Sequence, residues 1–346
     1  MQKDMHFYGV YALARAAGLG LGEAFTVAHS SQFVDDAVDR DMLNNDLGKA
    51  VISLMTSHRA IDSENSNDYD QWHVWVPFHF LPGNVGNSFN EKVICRKNSI
   101  PAHKILQNAL SKHDSPFWPH LIGVTAHVYA DTFSHFGFLG ISSDWNKADE
   151  ATININVQSP NILQYINEKF ETFKAKFAGV FASLVPVGHG SVETLPDRPY
   201  LKWSFKYLTG KHMSEDENRN NQDSFLEGCK CLYEFFCDYV NISGRGDRNK
   251  RKPWGDIKSD IKTIIDTEGM LSERIDLWKD KIRANVFCAS EPADLSLNYD
   301  ENIWKIGNLS PTYQYKDDIL HFINAARTHK NYVLYELLPQ LDLVIT

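Results

Sequence analysis

His127, Asp131 and His135 stand at i, i+4 and i+8 in the stretch HVYADTFSH. At ~100° per residue of helix these positions drift by only ~80°, so two imidazoles and a carboxylate share one stripe. Burying that stripe costs free energy unless something pairs with it, and a metal ion pairs with all three groups. A single buried histidine is more often a hydrogen-bonded core residue than a metal ligand, and the motif alone leaves both readings open.

Further donors are scattered along the chain. Asp4 and His6 sit in KDMHFYG, and Asp35, Asp36 and Asp39 in SQFVDDAVDR. His73 and His79 lie in WHVWVPFHFLPG, and His189 and Glu193 form H-x-x-x-E in VPVGHGSVETLPDRPY. Each alone has a plain explanation: a solvated helix end, a stacked loop histidine, or a carboxylate favoured by a helix dipole. Together they form a nitrogen and oxygen donor set suited to zinc, for which about two to three ions need roughly eight to ten ligands.

The order His, Asp, His, then H-x-x-x-D-x-x-x-H, then H-x-x-x-E, spread over residues 1–205, resembles the zinc-dependent phospholipase C / S1–P1 nuclease superfamily. The branch it resembles is bacterial, has no signal peptide, and is close to a family of unknown function. The resemblance implies a multi-helix bundle with zinc at the base of a cleft. It implies that His79, His127, Asp131 and an aspartate from VDD hold one ion. Asp131 would bridge to a second, also held by His6, and His135, His189 and Glu193 would hold a third. Secreted members use the amine and carbonyl of a processed N-terminal tryptophan. This chain has no tryptophan there, and Asp4, paired with His6 as D-x-H, is the expected replacement. Asp35 or Asp36 takes the family's double role of ligand and catalytic base; Asp36 is expected to be the ligand, though sequence does not separate the pair.

Clustered zinc suits the hydrolysis of a phosphate ester. The expected activity is a phospholipase C acting on phosphatidylcholine-like lipids, with a phospholipid or other phosphodiester as partner and peripheral membrane contact open. Phe7, Tyr8, Trp72, Trp75, Phe78, Phe80, Phe133 and Phe136 would then line an apolar rim able to take acyl-glycerol, a base or a choline cation. The competing reading for these aromatics is core packing. The formal net charge is −9. Its main basic run, Arg245 to Lys252, is remote in sequence from every proposed ligand, which disfavours nucleic acid. An S1–P1-like single-strand nuclease is the alternative. An HD-type phosphohydrolase would use His113 and Asp114, and a helical interaction or toxin-associated protein would keep zinc for structure alone.

The elements that must position these groups read as helices. The run 119–136 is the central one. Others are expected on either side of GLGLG, in LGKAVISLMTSH and PAHKILQNALSKH, over 161–185, in DSFLEGCKCLYEFFCDYV, and in the two amphipathic stretches near the C-terminus. Little period-2 alternation is visible, and DQWHVWVPFHFLPG reads as a proline-bounded loop wall. The fold is therefore expected to be mainly α. Residues 1–205 form a metallohydrolase core, and 206–346 a helical extension that belongs either to it or beside it. The five cysteines fit no metal pattern, and neither a secretory signal nor a membrane span is evident. A cytoplasmic setting is the default, with export by a signal-less route open.

Overall fold

The structure, a computed structural model, describes residues 1–39, 42–44, 50–58, 67–178, 186–288, 296–305 and 318–344. A π-helical turn, Asp4–Gly9, runs directly into α1, Val10–Ala16. Gly18, at φ 105°, then lets the chain reverse, because a Cβ there would stand 2.5 Å from the carbonyl oxygen of Asp247. The chain continues into α2, Leu21–Asp36. Two short strands, β1 (Met42–Asn44) and β2 (Ala50–Ile52), pair antiparallel. The expected helix LGKAVISLMTSH is thus a strand over 50–52, where Val51 and Ile52 bring the β-branched stiffness that suits a strand.

The expected loop wall is helical instead. It runs through Asp68–Asp70, a π-helical turn Gln71–Trp75 and Val76–Phe78. Pro77 falls in the last piece, directly after the π-helical turn and one residue before the run ends at Phe78. Next come α3 (Ile100–Ser111) and α4 (Trp118–His135). Every residue of α4 is buried. A helix enclosed on all sides serves as a scaffold for the elements around it. α2 crosses it closely at Gly123, where a Cβ would come 2.3 Å from the carbonyl oxygen of Val27. The buried guanidinium of Arg219 caps its far end, donating to the carbonyl oxygens of Ser134 and Phe136.

Beyond α4, β3 (Ala148–Asn156), β4 (Lys202–Tyr207) and β5 (Asn218–Asn220) form an antiparallel sheet in that order. Between β3 and β4 lies α5, Pro160–Ala178. Trp203 and Phe205 face inward from β4 while Lys202 and Lys206 face out, an alternation the helix-oriented reading passed over. The chain finishes with α6 (Asn221–Ser243), α7 (Trp254–Asp266), α8 (Leu271–Arg283) and α9 (Asp318–Tyr332).

The fold is mainly helical, with two small antiparallel sheets among the described residues. One hydrophobic cluster contains Val10, Val27 and Leu121 as well as Phe236, Ile261, Trp278 and Phe322, so residues before and after 205 share a core. A second cluster joins Phe80 and Phe138 to Val192, Leu195 and the inner face of β4. No helix among the described residues is long and apolar enough to cross a membrane. All five cysteines are free thiols.

Candidate metal centre

α4 presents His127, Asp131 and His135 to a buried point where four other segments converge. Asp131, 1 % exposed, uses both oxygens. Its Oδ1 lies 2.6 Å from the Met1 amine and 3.1 Å from His6 Nε2. Its Oδ2 lies 3.2 Å from His127 Nε2 and 3.3 Å from His79 Nδ1. His6 reaches in from the first π-helical turn and stacks on His127 with ring centroids 3.9 Å apart. Such turns widen a helix locally and recur at functional sites.

α2 supplies Asp35 at its C-terminal end. Asp35 Oδ1 is 3.7 Å from His127 Nε2 and 3.9 Å from His79 Nδ1. With its side chain 29 % exposed, it is the most open of the three carboxylates here. The opposite end of the group is closed by His135, His189 and Asp197. His135 Nε2 is 3.2 Å from Asp197 Oδ1, and His189 Nε2 is 3.6 Å from Asp197 Oδ2. The Met1 amine also approaches Asp197, at 3.1 Å, and donates to Ser134 Oγ at 3.2 Å. Three groupings here, each with donor atoms within 4.8 Å of one another, could hold a metal ion: His6, His127 and Asp131; Asp35, His79 and His127; His135, His189 and Asp197.

Main-chain carbonyls fix which imidazole nitrogens face inward. A carbonyl oxygen only accepts, so the nitrogen facing it must carry the proton. His79 Nε2 donates to Thr56 at 2.9 Å, His135 Nδ1 to His79 at 2.9 Å, and His189 Nδ1 to Glu193 at 2.6 Å. The opposite nitrogens of all three rings therefore aim lone pairs at carboxylate oxygens while the rings are neutral. Lone pair against carboxylate is repulsive and calls for a cation between them. Outer partners of this kind are how proteins orient metal-binding histidines.

The electrostatics agree. Burial depresses the His135 pKa to about 4 despite Asp131 nearby. Burial, then the neighbouring His127, holds His6 well below the ordinary imidazole range. His127 moves up, since Asp131 and Asp35 outweigh the cost of burial. Burial opposes ionisation of Asp131 and Asp197. His135 and the amine nevertheless hold Asp131 far below the usual carboxylate range, and the amine and His189 do so for Asp197. For Asp35, burial outweighs the pull of His127 and His79 and pushes it up to about 6. The Met1 amine is raised to about 11, because Asp131 and Asp197 overcome its burial. It is a positive charge seated between two carboxylates, at a point where a cation is wanted. The donor set therefore fits metal ions.

Of the residues singled out from sequence, His6, Asp35, His79, His127, Asp131, His135 and His189 meet here. Asp4 does not: its carboxylate is 2.7 Å from the buried Arg274 guanidinium, and the Met1 amine reaches the centre from this end of the chain instead. Asp36 turns away from Asp35, accepting hydrogen bonds from Tyr299 at 2.7 Å and Gln32 at 2.9 Å. Glu193 sits in a turn at φ 50°, its carboxylate bound to the Thr194 N–H at 2.7 Å and near Arg198. His73 stacks on Tyr69, and Asp39 lies beside a shallow pocket with Asp36 and Trp304. His113 and Asp114 form an exposed pair outside the group. Asp197 is the residue the sequence reading missed. It ends a 3-10 turn, Leu195–Asp197, and H-x7-D from His189 is its sole sequence signal.

Most of the expected aromatic rim is core. Phe7, Tyr8, Phe78, Phe80, Phe133 and Phe136 are buried, and Trp72 and Trp75 alone of that set keep partial exposure. Trp75 stands beside His79, ring centroids 5.2 Å apart.

A family model described as a family of unknown function (DUF6765) matches residues 1–337, and the chain belongs to that family. No curated protein and no solved structure gave a match.

Proposed function

We propose that this family member is a zinc-dependent phosphodiester hydrolase, related in fold and ligand order to the phospholipase C / S1–P1 nuclease bundles. The observation that carries the proposal is the carboxylate of Asp131. Both its oxygens are buried, and they face the Met1 amine and the ring nitrogens of His6, His79 and His127. A carboxylate so placed suits a bridge between ions.

About two to three ions match the three groupings, and imidazole with carboxylate favours zinc over magnesium or calcium. His79, His127 and Asp35 would hold one ion, His6 with Asp131 a second, and His135, His189 and Asp197 a third. Zinc bound there would supply a Lewis acid for the phosphate and lower the pKa of nearby water. Asp35, the most exposed carboxylate of the group, would orient the attacking water and take its proton. As the new P–O bond forms, the ester P–O bond breaks and the leaving alkoxide takes up the proton that Asp35 removed from the water. The carbonyls of Thr56, His79 and Glu193 hold the rings in register throughout.

The substrate proposed is a phosphatidylcholine-like lipid. An acidic chain tolerates a zwitterionic head group better than a polyanion, and Trp75 offers a partly exposed aromatic ring beside the centre. The deciding assay sets zinc-loaded protein against phosphatidylcholine micelles, single-stranded DNA and RNA. Release of phosphocholine and diacylglycerol, lost in His127→Ala, supports the proposal. Cleavage of nucleic acid alone promotes the nuclease reading, and a folded, metal-loaded protein inert on all three leaves zinc a structural role.

A further inference from the structure

α4 carries another histidine on the same stripe. His120 precedes His127 by about two turns, roughly 10 Å along the axis, which puts it beyond reach of the centre above. It is buried, and its Nε2 lies 3.1 Å from Oδ1 of Asp318, the first residue of α9. His321 follows Asp318 at i+3, on the same side of α9. Its ring meets that of His120 edge-on, with centroids 5.3 Å apart. One donor atom from each of the three residues lies within 4.8 Å of the other two.

The surroundings differ on the two sides. Trp304 packs against His120 with centroids 5.4 Å apart, closing one face with an apolar ring. Asp318 is 55 % exposed and opens the other face to water. His120 Nδ1 is buried and has no hydrogen-bond partner among the described residues. A hydrogen bond to Asp318 explains one nitrogen of His120. It does not explain the second imidazole gathered at the same point.

We propose that His120, Asp318 and His321 form a separate, mononuclear divalent-cation site that fastens α9 to α4. Two nitrogens and one oxygen favour zinc or its borderline neighbours over calcium and magnesium. Water completes the coordination on the open side. The site is independent of the phosphodiesterase reading, since it needs none of the residues that serve that centre.

The experiment strips the full-length protein with chelator, titrates it with Co(II), and counts bound ions by elemental analysis after excess metal is removed. Asp318→Asn and His321→Ala are each expected to bind one ion fewer than the parent chain. Cobalt is also expected to raise their melting temperatures less than the parent's. Asp318 is exposed and His321 only partly buried, so both variants keep the fold; circular dichroism checks this. Equal ion counts in parent and both variants overturn the proposal, and the His120–Asp318 contact is then a helix-docking hydrogen bond. Loss of an ion in both, with activity on phosphodiesters unchanged, establishes a site distinct from the first.

Discussion

His135 points its Nδ1 proton at the main-chain carbonyl of His79, 2.9 Å away, and that bond leaves its other nitrogen facing Asp197. Two helical segments far apart in sequence are thereby tied at the point where their side chains enter the centre. Asp197 and Asp131 then divide the work unequally. Asp197→Asn is expected to cost one ion, and Asp131→Asn more than one, because Asp131 faces two groupings. Elemental analysis of the purified variants decides it. A loss of only one ion in Asp131→Asn would refute bridging while leaving metal binding intact.

The Met1 amine lies 2.6 Å from Asp131 and 3.1 Å from Asp197. Residues fused ahead of Met1 turn that amine into an amide, with no charge and no room. Such a fusion is expected to lower metal content and activity, whereas a C-terminal tag leaves both unchanged. Identical metal content in the two fusions would show that the amine has no part in the centre.

Asp4→Asn separates stability from metal binding. It leaves the buried Arg274 guanidinium without its anionic partner, a loss of about 3–5 kcal/mol for a buried pair. Metal content per folded chain is expected to stay constant while the denaturation midpoint falls. A variant of normal stability that has lost an ion would return Asp4 to the ligand set.

The two neighbouring aspartates of α2 should behave oppositely. Asp35→Asn is expected to abolish hydrolysis. Asp36→Asn only weakens a contact to Tyr299, worth about 1 kcal/mol, and keeps its metal. Activity and metal content measured on the same preparations discriminate. A metal-depleted, inactive Asp36→Asn would reverse the assignment.

Acid should destabilise the fold through histidines outside the centre. Burial lowers His29 and His329 to about 4, and each donates its Nε2 proton to a main-chain carbonyl, of Asp300 and of Pro77. Between about pH 6.5 and pH 4 the unfolded chain binds protons that the folded one refuses. Stability is therefore complete above about 6.5 and falls as pH drops toward 4, by on the order of 3 kcal/mol for each histidine. Denaturant midpoints of chelator-stripped protein between pH 7.5 and 4.5 measure this, and His329→Gln should flatten the slope. An unchanged slope in that variant would count against the buried neutral ring.

Periodicity made the α4 stripe legible, because a helix turns spacing into geometry. The same rule misled where no helix exists. Glu193 looked apt at i+4 from His189, but the intervening residues form a 3-10 turn and Glu193 itself adopts positive φ, which leaves Asp197 to face the ring. Which of Asp35 and Asp36 faces the histidines was open in sequence and follows from helix phase. Asp35 lies eight residues after Val27, on the stripe that meets Gly123. Asp36 lies seven after His29, on the stripe that meets Tyr299. The contact partner that fixes the phase, Gly123, is distant along the chain. The amine was illegible for another reason: no side-chain pattern records where a backbone nitrogen will be carried.

Gly123 and the carbonyl of Val27 act as a fulcrum. α2 extends about 12 Å from that crossing to Asp35, so a slight splay at the contact swings the open carboxylate through a larger arc. A methyl group at 123 would therefore retune the mouth of the centre from a distance, touching none of the groups that line it. The spacing on which the proposed chemistry depends is set where two backbones press together with one hydrogen atom between them.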